Sequence, residues 1–261
     1  MIRQIRTLFR YRLLIQSLVG RDLKARYRGS ILGFLWSFIN PLMLMLTYGL
    51  VFTVVLPGFR PKTEDPYFLF LFCGILPWTW FSSALLEASG VLIGSGSLLK
   101  KVLFPAEVLP TVNVIANFVH FLFGLPILLL FLILFGKLTP AALLLPVPLL
   151  VQMVLTLGLA LFVSALTVHF RDVQNLLGHI LHLWFFSTPI IYSTEGLGEN
   201  MAKALRFNPM THLMKAYHDL LFNGEAVLHR GLAATAVVAV LALAVGAFLF
   251  ERLRDTLAEE V

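Results

Sequence analysis

The 261-residue sequence has little charge and almost no cysteine. Charged side chains are 13% of the residues, whereas a soluble domain carries about 25%. The single cysteine, Cys73, lies in an apolar run and cannot form a disulfide within the chain. No G-x-x-x-x-G-K-[ST] pattern occurs, so the chain lacks a P-loop for nucleotide. No internal repeat is evident, which disfavours a secondary transporter built from inverted repeats.

Apolar residues dominate what is present. They make up 59% of the chain and include 23 phenylalanines. A soluble fold of this size cannot bury that much apolar surface, so lipid must cover part of it. The net charge of +6 is concentrated near the N-terminus. We attribute it to anionic lipid headgroups rather than nucleic acid, because the remainder of the chain is too apolar for a nucleic-acid partner.

Long runs with few charges predict an all-α membrane protein with six transmembrane helices. We place these helices at 31–56, 67–93, 108–135, 141–168, 174–191 and 231–250. Six spans put both termini on one side. The segments on that side carry 13 Lys and Arg against 7 on the other, so the positive-inside rule predicts cytoplasmic termini.

Two further segments have a predicted role. Residues 1–20 place Ile2, Ile5, Leu8 and Phe9 near one helix face and Arg3, Arg6 and Arg10 elsewhere. This pattern predicts an N-terminal amphipathic helix in the membrane interface, with a disordered basic tail as the alternative. Residues 192–229 are polar but contain apolar pieces, which predicts a re-entrant outer loop between helices five and six. The whole chain, 1–261, is predicted to be one transmembrane domain. Its parts are a cytoplasmic interface helix (1–28), a transmembrane domain (31–252) and a cytoplasmic tail (253–261).

Two predicted helices carry polar stripes at helical spacing. The stripes are Asn113, Asn117 and His120 on the third helix, and Asn175, His179 and His182 on the fifth. Such faces meet other helices or a polar cargo, not lipid, and both interpretations stay open. A metal site at the two histidines of the fifth helix is disfavoured, because no carboxylate or cysteine accompanies them.

Aromatic residues cluster at the predicted helix ends. We consider some of them as candidates for lining a pore: Phe34, Trp36, Phe38, Trp184, Phe185 and Tyr192. The polar candidates for the same role are Asn113, Asn117, His179 and His182. The alternative is that they anchor the helices at the membrane surface. Glu87 is the one carboxylate within a predicted span, and it can snorkel or pair with a base at a helix end. Ion-coupled transport is therefore disfavoured, and the energy should come from elsewhere.

Several linked motifs resemble those of one transporter family. They are RDLKARYRGSILGFLW at 21–36, NPL at 40–42, KKVLFPAEVLP at 100–110, FRDV at 170–173, STPIIY at 187–192 and NPM at 208–210. Together they resemble the ABC type-2 permeases, and within them the group that exports O-antigen, teichoic acid and capsule precursors. The resemblance runs over nearly the whole chain in the expected order.

The resemblance implies a non-enzymatic subunit of the bacterial inner membrane that forms a homodimer and binds two copies of a separate P-loop ATPase. ATP and magnesium would be bound by that partner, leaving no cofactor in this chain. A coupling helix within 95–107 would contact the ATPase. The contact residues would be Leu98, Lys100, Lys101, Phe104, Pro105 and Glu107. Helices one and five would line the path at the dimer interface.

The expected cargo is a polysaccharide linked to polyprenyl pyrophosphate. Lys24, Arg26 and Arg28 precede helix one and are predicted to attract its phosphates at the entrance, although lipid headgroups alone could occupy them. Export of teichoic acid, capsule polymer, a drug or a lipid stays open, as does a non-transporting scaffold. A membrane-embedded transferase is disfavoured, because the acidic residues Asp22, Glu107 and Asp172 are scattered.

Overall fold

The computed structural model describes residues 10–26, 28–55, 66–96, 105–194, 198–227 and 229–260, and throughout these ranges the regular structure is helical. The helices are α1 (Arg12–Arg26), α2 (Trp36–Leu50), α3 (Tyr67–Gly94), α4 (Val108–Leu134), α5 (Pro146–His169), α6 (Asp172–Phe186), α7 (Glu199–Leu205), α8 (Pro209–Tyr217) and α9 (Arg230–Glu260). Short 3-10 turns precede α2 and α5, at Gly33–Leu35 and Pro140–Leu144. Single π-helical turns follow α2 and α8, at Val51–Val55 and His218–Asn223.

Four segments are long and apolar enough to cross a bilayer. They are Tyr67–Gly94, Val108–Leu134, Pro140–His169 and Arg230–Leu253. The prediction of spans is confirmed for these four. By contrast, α6 has 15 residues, which corresponds to about 22 Å, less than the roughly 30 Å of a hydrocarbon core. Helix α2 also has 15 residues, but the 3-10 turn Gly33–Leu35 before it and the π-helical turn Val51–Val55 after it continue the helical run without a break. Neither segment is among the four above, so the predicted spans at 31–56 and 174–191 stay predictions.

The fifth predicted span ends early for a local reason. Instead of continuing to residue 191, α6 stops at Phe186. Pro189 lacks a backbone N–H and disfavours the helical conformation of Thr188 before it, so the chain turns here. At the other end of the chain, α9 runs ten residues past the predicted end at 250, to Glu260. Its last turns are rich in Glu, Arg, Leu and Ala, which favour helix.

Helix α3 forms the centre of the molecule. In its candidate span 78% of the residues are buried, compared with 28% for α4 and for α9. Most of the core of large side chains comes from α3 and from what packs on it, mainly α4 and α5. Pro77 lies inside this helix, and its carbonyl accepts a hydrogen bond of 2.8 Å from Nε2 of Gln152 on α5. Because α4 and α9 stay open on one side, these helices are suited to face lipid.

Helices α5 and α9 approach each other until their backbones touch. A Cβ added at Gly158 would overlap the backbone of Ala242 and Leu243, and one at Gly246 would overlap the carbonyl of Gly158. Only glycine permits this distance between the helix axes. The contact is of the small-residue kind that lets membrane helices gain packing energy without a hydrophobic driving force.

Helix α1 packs on the side of α4. Ile15, Leu18 and Val19 are buried there in one cluster with Val108 and Val112. The apolar residues Ile2, Ile5, Leu8 and Phe9, on which the predicted interface helix was based, lie outside the described residues. The described part of the segment is a helix with one buried apolar face, and its position in the membrane interface stays a prediction.

The described part of segment 192–229 folds into α7, α8 and the π-turn. Exposed residues dominate α7, but α8 is set into the bundle against α9, α3 and α5. Its residues Met210, Leu213 and Met214 are fully buried. A short polar-edged helix inside the core is the arrangement that a re-entrant loop requires.

Candidate functional site

An ionic cluster joins three helices near the Gly94 end of α3. Arg26 Nη1 donates a hydrogen bond of 2.8 Å to Oε1 of Glu87, and Nη2 pairs with Oε2 of the same carboxylate. Arg26 Nε donates to Oδ2 of Asp22, one turn earlier in α1, at 3.0 Å. From α4, the Nδ2 groups of Asn113 and Asn117 donate to Glu87 Oε2 at 3.0 and 2.7 Å. Glu87 therefore receives hydrogen bonds from two neighbouring helices.

The charge of Arg26 is already compensated. Burial opposes its charged form, but the carboxylates of Glu87 and Asp22 more than offset this effect and raise the pKa of Arg26 above its ordinary value. One guanidinium between two carboxylates leaves a formal charge of −1. Of the three residues predicted at a phosphate entrance, Arg26 thus faces carboxylates of its own chain, whereas Lys24 and Arg28 are exposed. The entrance role of this trio stays a prediction.

Of the two interpretations of the polar stripe on α4, contact with other helices or with a polar cargo, the described structure shows the first for Asn113 and Asn117. Because Asn113 and Asn117 are four residues apart, their side chains lie on one helix face, and that face turns toward Glu87. Hydrogen bonding between helices is therefore what these two residues do in the described structure. His120, one turn further, lines a cavity beside the cluster.

This cavity, of about 680 Å³, lies between α2, α3 and α4 and is called the groove below. Arg26, Glu87 and Asn117 line its ionic end. The remaining lining is aromatic, aliphatic or polar without charge. Its uncharged polar and aromatic members are Trp36, Asn40 and Thr47 from α2, Phe72, Thr79, Trp80 and Ser83 from α3, and His120 and Phe121 from α4. Trp36 and Asn117 are thus the only predicted pore-lining residues that line the groove among the described side chains.

A second polar cluster, which the sequence analysis missed, lies after α8. Asp219 is 3% exposed, and its Oδ2 lies 2.6 Å from Nε2 of His229 and 3.4 Å from Nζ of Lys215. Asn223 donates to its Oδ1 at 3.2 Å. Lys215, Asp219 and Asn223 are spaced by four, and that spacing was the available sequence signal for a shared helix face.

His218, next to this cluster, is buried against α3. Its ring stacks on Phe70 with centroids 4.0 Å apart, and Nε2 lies 3.1 Å from the Phe70 carbonyl. Burial lowers the pKa of His218 to about 4. The ring is therefore neutral at physiological pH, and Nε2 carries the proton that it donates to the carbonyl.

Asn208 connects the end of α6 to the start of α8. Its Oδ1 accepts hydrogen bonds from Trp184 Nε1 at 2.8 Å and from the Met210 backbone at 3.0 Å. Its Nδ2 donates to the Ser187 carbonyl at 2.9 Å and to Thr188 Oγ1 at 3.0 Å. Trp184, a predicted pore-lining residue, is thereby directed to this junction.

Five other predicted pore-lining residues do not line the groove. Phe185 packs near Tyr48 with ring centroids 6.3 Å apart, and Tyr192 donates to the Phe186 carbonyl at 3.3 Å. His179 and His182 are exposed on α6. Phe38 packs near Phe123 with centroids 5.8 Å apart, and the side chain of Phe34 lies outside the described structure. The pore-lining role of all ten candidates stays a prediction.

The predicted coupling segment at 95–107 is described only at its two ends, 95–96 and 105–107. Leu98, Lys100, Lys101 and Phe104 lie outside the described residues. Pro105 is buried, and so is Glu107, whose Oε2 finds no hydrogen-bond partner among the described residues. In the same described ranges, no group of three or more His, Cys, Asp or Glu is placed to hold a metal ion.

Comparison with known proteins gives a consistent result. The family model described as ABC-2 type transporter matches residues 13–222. The O-antigen export system permease protein RfbA of Myxococcus xanthus is 40% identical over 264 residues, covering 100% of both chains. The protein of the same name from Klebsiella pneumoniae is 29% identical over 248 residues, covering 94% of both.

Family membership and the apolar helices together establish an integral membrane permease, and the family implies an ABC transporter with an ATPase partner. The motifs at 21–36 and 208–210 fall within the matched region, and α3, α4 and α5 lie there too. The chain belongs to the ABC-2 type transporter family.

Proposed function

We propose that this chain is the transmembrane subunit of an ATP-driven exporter that moves a lipid-linked, O-antigen-like polysaccharide out of the cytoplasm across the bacterial inner membrane. The observation that carries the proposal is similarity over the full length of both chains to a protein named as an O-antigen export permease.

The working unit is a homodimer of this chain with two copies of a P-loop ATPase, which binds ATP and magnesium. The main support for a dimer is the outward face of α6. There His179 and His182 are exposed beside Ile180 and Leu183. Imidazoles on a membrane helix meet protein or an aqueous path rather than lipid.

The same arrangement accounts for the short helix α6. A helix of 15 residues need not span the hydrocarbon core by itself if it lines a seam between two copies. In this proposal α2 and α6 lie at that seam and complete a six-helix permease with both termini in the cytoplasm. Helix α8 and the π-turn after it form the re-entrant outer loop that closes the exit.

The glycan carrier enters at the cytoplasmic side, where its pyrophosphate meets Lys24 and Arg28 on exposed surface. Charge-assisted hydrogen bonds suit phosphate oxygens. ATP binding and hydrolysis in the partner then displace the coupling segment at 95–107, including Lys101, Phe104 and Pro105. This motion reshapes the seam, and the polymer advances between the two copies.

Co-purification tests the assembly and the cargo together. The chain should bring down a P-loop ATPase, and lipid-linked O-antigen should stimulate its hydrolysis in nanodiscs. If a teichoic acid precursor, a capsule precursor, or a free lipid or drug stimulates hydrolysis instead, that compound is the cargo. An assembly without an ATPase would refute the exporter and favour a scaffold.

Cross-linking tests the seam. With Cys73 replaced by alanine, His182→Cys should form a disulfide between two copies under mild oxidation. Val238→Cys on α9 is the matched control, because it is also exposed but on a helix proposed to face lipid. Equal cross-linking at both positions would contradict the assignment of α6 to the seam.

Entrance variants test the phosphate role. Lys24→Gln combined with Arg28→Gln should lower glycan-stimulated ATP hydrolysis and export while the complex still assembles. Arg12→Gln is the control, since this side chain is exposed at the other end of α1. Unchanged export in the double variant would show that Lys24 and Arg28 do not bind the phosphates of the cargo.

A further inference from the structure

The groove lies between helices of one copy of the chain. Its walls are α2, α3 and α4, and no residue of α6 lines it. It is therefore separate from the α6 side of the proposed seam, while its wall α2 also belongs to that seam. Its volume of about 680 Å³ lies within the roughly 300–1,000 Å³ of small-molecule pockets.

The polar groups that line the groove carry no net positive charge. On α3, Thr79, Ser83 and Glu87 are spaced by four and share one face, while Asn40 and Thr47 of α2 are two turns apart and line the opposite wall. Hydroxyl and amide groups both donate and accept hydrogen bonds. Such a surface suits a ligand with many hydroxyl groups.

The charges at the ionic end do not favour an anion. Arg26 is already hydrogen bonded to Glu87 and Asp22, and the trio carries a formal charge of −1. A phosphate in the groove would have to displace a carboxylate that Asn113 and Asn117 also hold. A neutral ligand meets no such cost.

One indole ring adds flat apolar surface. Trp36 lies on α2 and Trp80 on α3, both in the lining. Trp80 is 2% exposed, and its ring packs on Phe118 and Phe121 with centroids 4.9 and 5.5 Å apart. Trp36 is only partly buried, so its indole is the one that a ligand can contact. Aromatic faces with uncharged hydrogen-bonding groups suit the apolar faces and hydroxyl edges of pyranose rings.

We infer that the groove between α2, α3 and α4 binds neutral sugar residues of the exported glycan within one copy of the chain. The inference rests on the proposed function, because it takes the cargo to be a glycan. The sugars lie along Asn40, Thr47, Thr79 and Ser83 and stack on the indole of Trp36. The fixed ion pair of Arg26 and Glu87 closes the end of the groove.

Photocross-linking in living cells identifies the occupant. In cells whose surface glycan depends on this permease, p-benzoylphenylalanine replaces Ser83 in one strain, its non-lining neighbour Ser82 in a second and His182 at the seam in a third. Parallel cultures receive radioactive sugar, mevalonate or glycerol, which label the glycan, the isoprenoid carrier and phospholipid. After irradiation, mild acid cleaves the pyrophosphate link, so only the part that was cross-linked stays on the protein.

The expected result is sugar label retained at position 83, several-fold above position 82. Isoprenoid or glycerol label at position 83 without sugar would overturn the inference, because the groove would then hold a lipid chain. No adduct at position 83 with sugar captured at position 182 would also overturn it and leave the exporter intact. Sugar captured at neither position, in cells that still carry the permease, would refute the glycan cargo itself.

A smaller substitution guards against misfolding of the cross-linking variant. Ser83→Val removes the hydroxyl from the groove and should lower glycan export several-fold. Ser82→Val makes the same change one residue away, outside the lining, and should export at the level of the unmodified protein. Equal export by the two variants would overturn the inference.

Discussion

Both nitrogens at the end of the Arg26 side chain pair with the two carboxylate oxygens of Glu87, although the residues are 61 positions apart. This contact fixes the end of α1 to α3, the most buried long helix. Glu87 lies about two turns from the end of α3 at Gly94. Its carboxylate is thus stabilised by a base from outside the long spans together with two asparagines from α4.

Removing the charge of Glu87 should loosen this attachment. The variant Glu87→Gln is expected to lower the free energy of unfolding by about 1–2 kcal/mol, since hydrogen bonds to charged groups are strong but this pair is partly exposed. Side-chain exposure is 23% for Arg26 and 37% for Glu87. A reversible unfolding titration in detergent micelles measures the change.

Asp22→Asn is the matched control. It removes a carboxylate from the same guanidinium but leaves the contact to α3 in place, so its cost should be smaller. If Asp22→Asn destabilised the protein as much as Glu87→Gln, the attachment of α1 would not depend on the pair between α1 and α3.

The contact between α5 and α9 should not tolerate a methyl group. Gly158→Ala places a Cβ onto the backbone of Leu243, which cannot move aside as a side chain can. Overpacking of this kind costs about 1–3 kcal/mol. The yield of monodisperse protein in detergent and its thermal unfolding report the loss.

Gly178→Ala is the control for this prediction. The nearest atom to a Cβ there is Leu86 Cδ2 at 3.9 Å, an ordinary contact. Alanine also favours helix over glycine by about 0.5–1 kcal/mol, so this variant should be as stable as the original protein or slightly more stable. A loss at position 178 equal to that at position 158 would show that backbone overlap is not the cause.

Two substitutions of Asn208 should destabilise the junction between α6 and α8 to different degrees. Asn208→Ala removes all four hydrogen bonds of the side chain and should destabilise the protein by about 1–3 kcal/mol. Asn208→Asp keeps the acceptor for Trp184 and for the Met210 backbone but loses both donors, so it should fall between alanine and asparagine. Equal stability of the two variants at pH 7 would contradict this division, and unfolding titrations compare them.

His218 should make stability depend on pH. Its pKa is lowered from 6.5 to about 4 in the folded chain, so between these values the unfolded chain binds more protons. The stabilisation is complete above pH 6.5 and is lost as the pH falls toward 4, with a total on the order of 3 kcal/mol.

His218→Gln isolates this effect. Glutamine can donate to the Phe70 carbonyl but does not titrate, while Asp219, Lys215 and His229 nearby stay unchanged. The midpoint temperature of thermal unfolding should therefore fall less steeply in the variant as the pH is lowered from 7.5 to 5. Parallel pH curves for both proteins would show that His218 does not control the change.

Hydropathy located the helices that are uniformly apolar. The predicted starts at 67 and 108 agree with Tyr67 and Val108, because uncharged runs longer than 20 residues have few alternatives to a membrane helix. For the first span, the continuous helical run over 33–55 agrees with the predicted bounds 31–56. Hydropathy placed the end of the fifth span too late, at 191, because the apolar run continues past the end of α6 into the turn at Pro189. A turn does not change hydropathy, so composition does not show it.

The candidate site was only partly visible in the sequence. The spacing of Asn113 and Asn117 predicted a shared polar face correctly, since helical geometry is local. The partner of that face was not predictable, because Glu87 comes from another helix. Trp80 illustrates the same limit, since its burial at the edge of the groove follows from the packing of α2 and α4 around α3.

By itself the sequence determined that this protein resides in a membrane and has no P-loop, because composition and short motifs are properties of the chain alone. Only the tertiary structure decided which groups meet. It directed Arg26 to Glu87 and Asp22, Trp184 to Asn208 and the polar face of α3 into a groove. Electrostatic and hydrogen-bond energies fall steeply with distance, so a side chain's role depends on neighbours that folding brings from distant parts of the sequence.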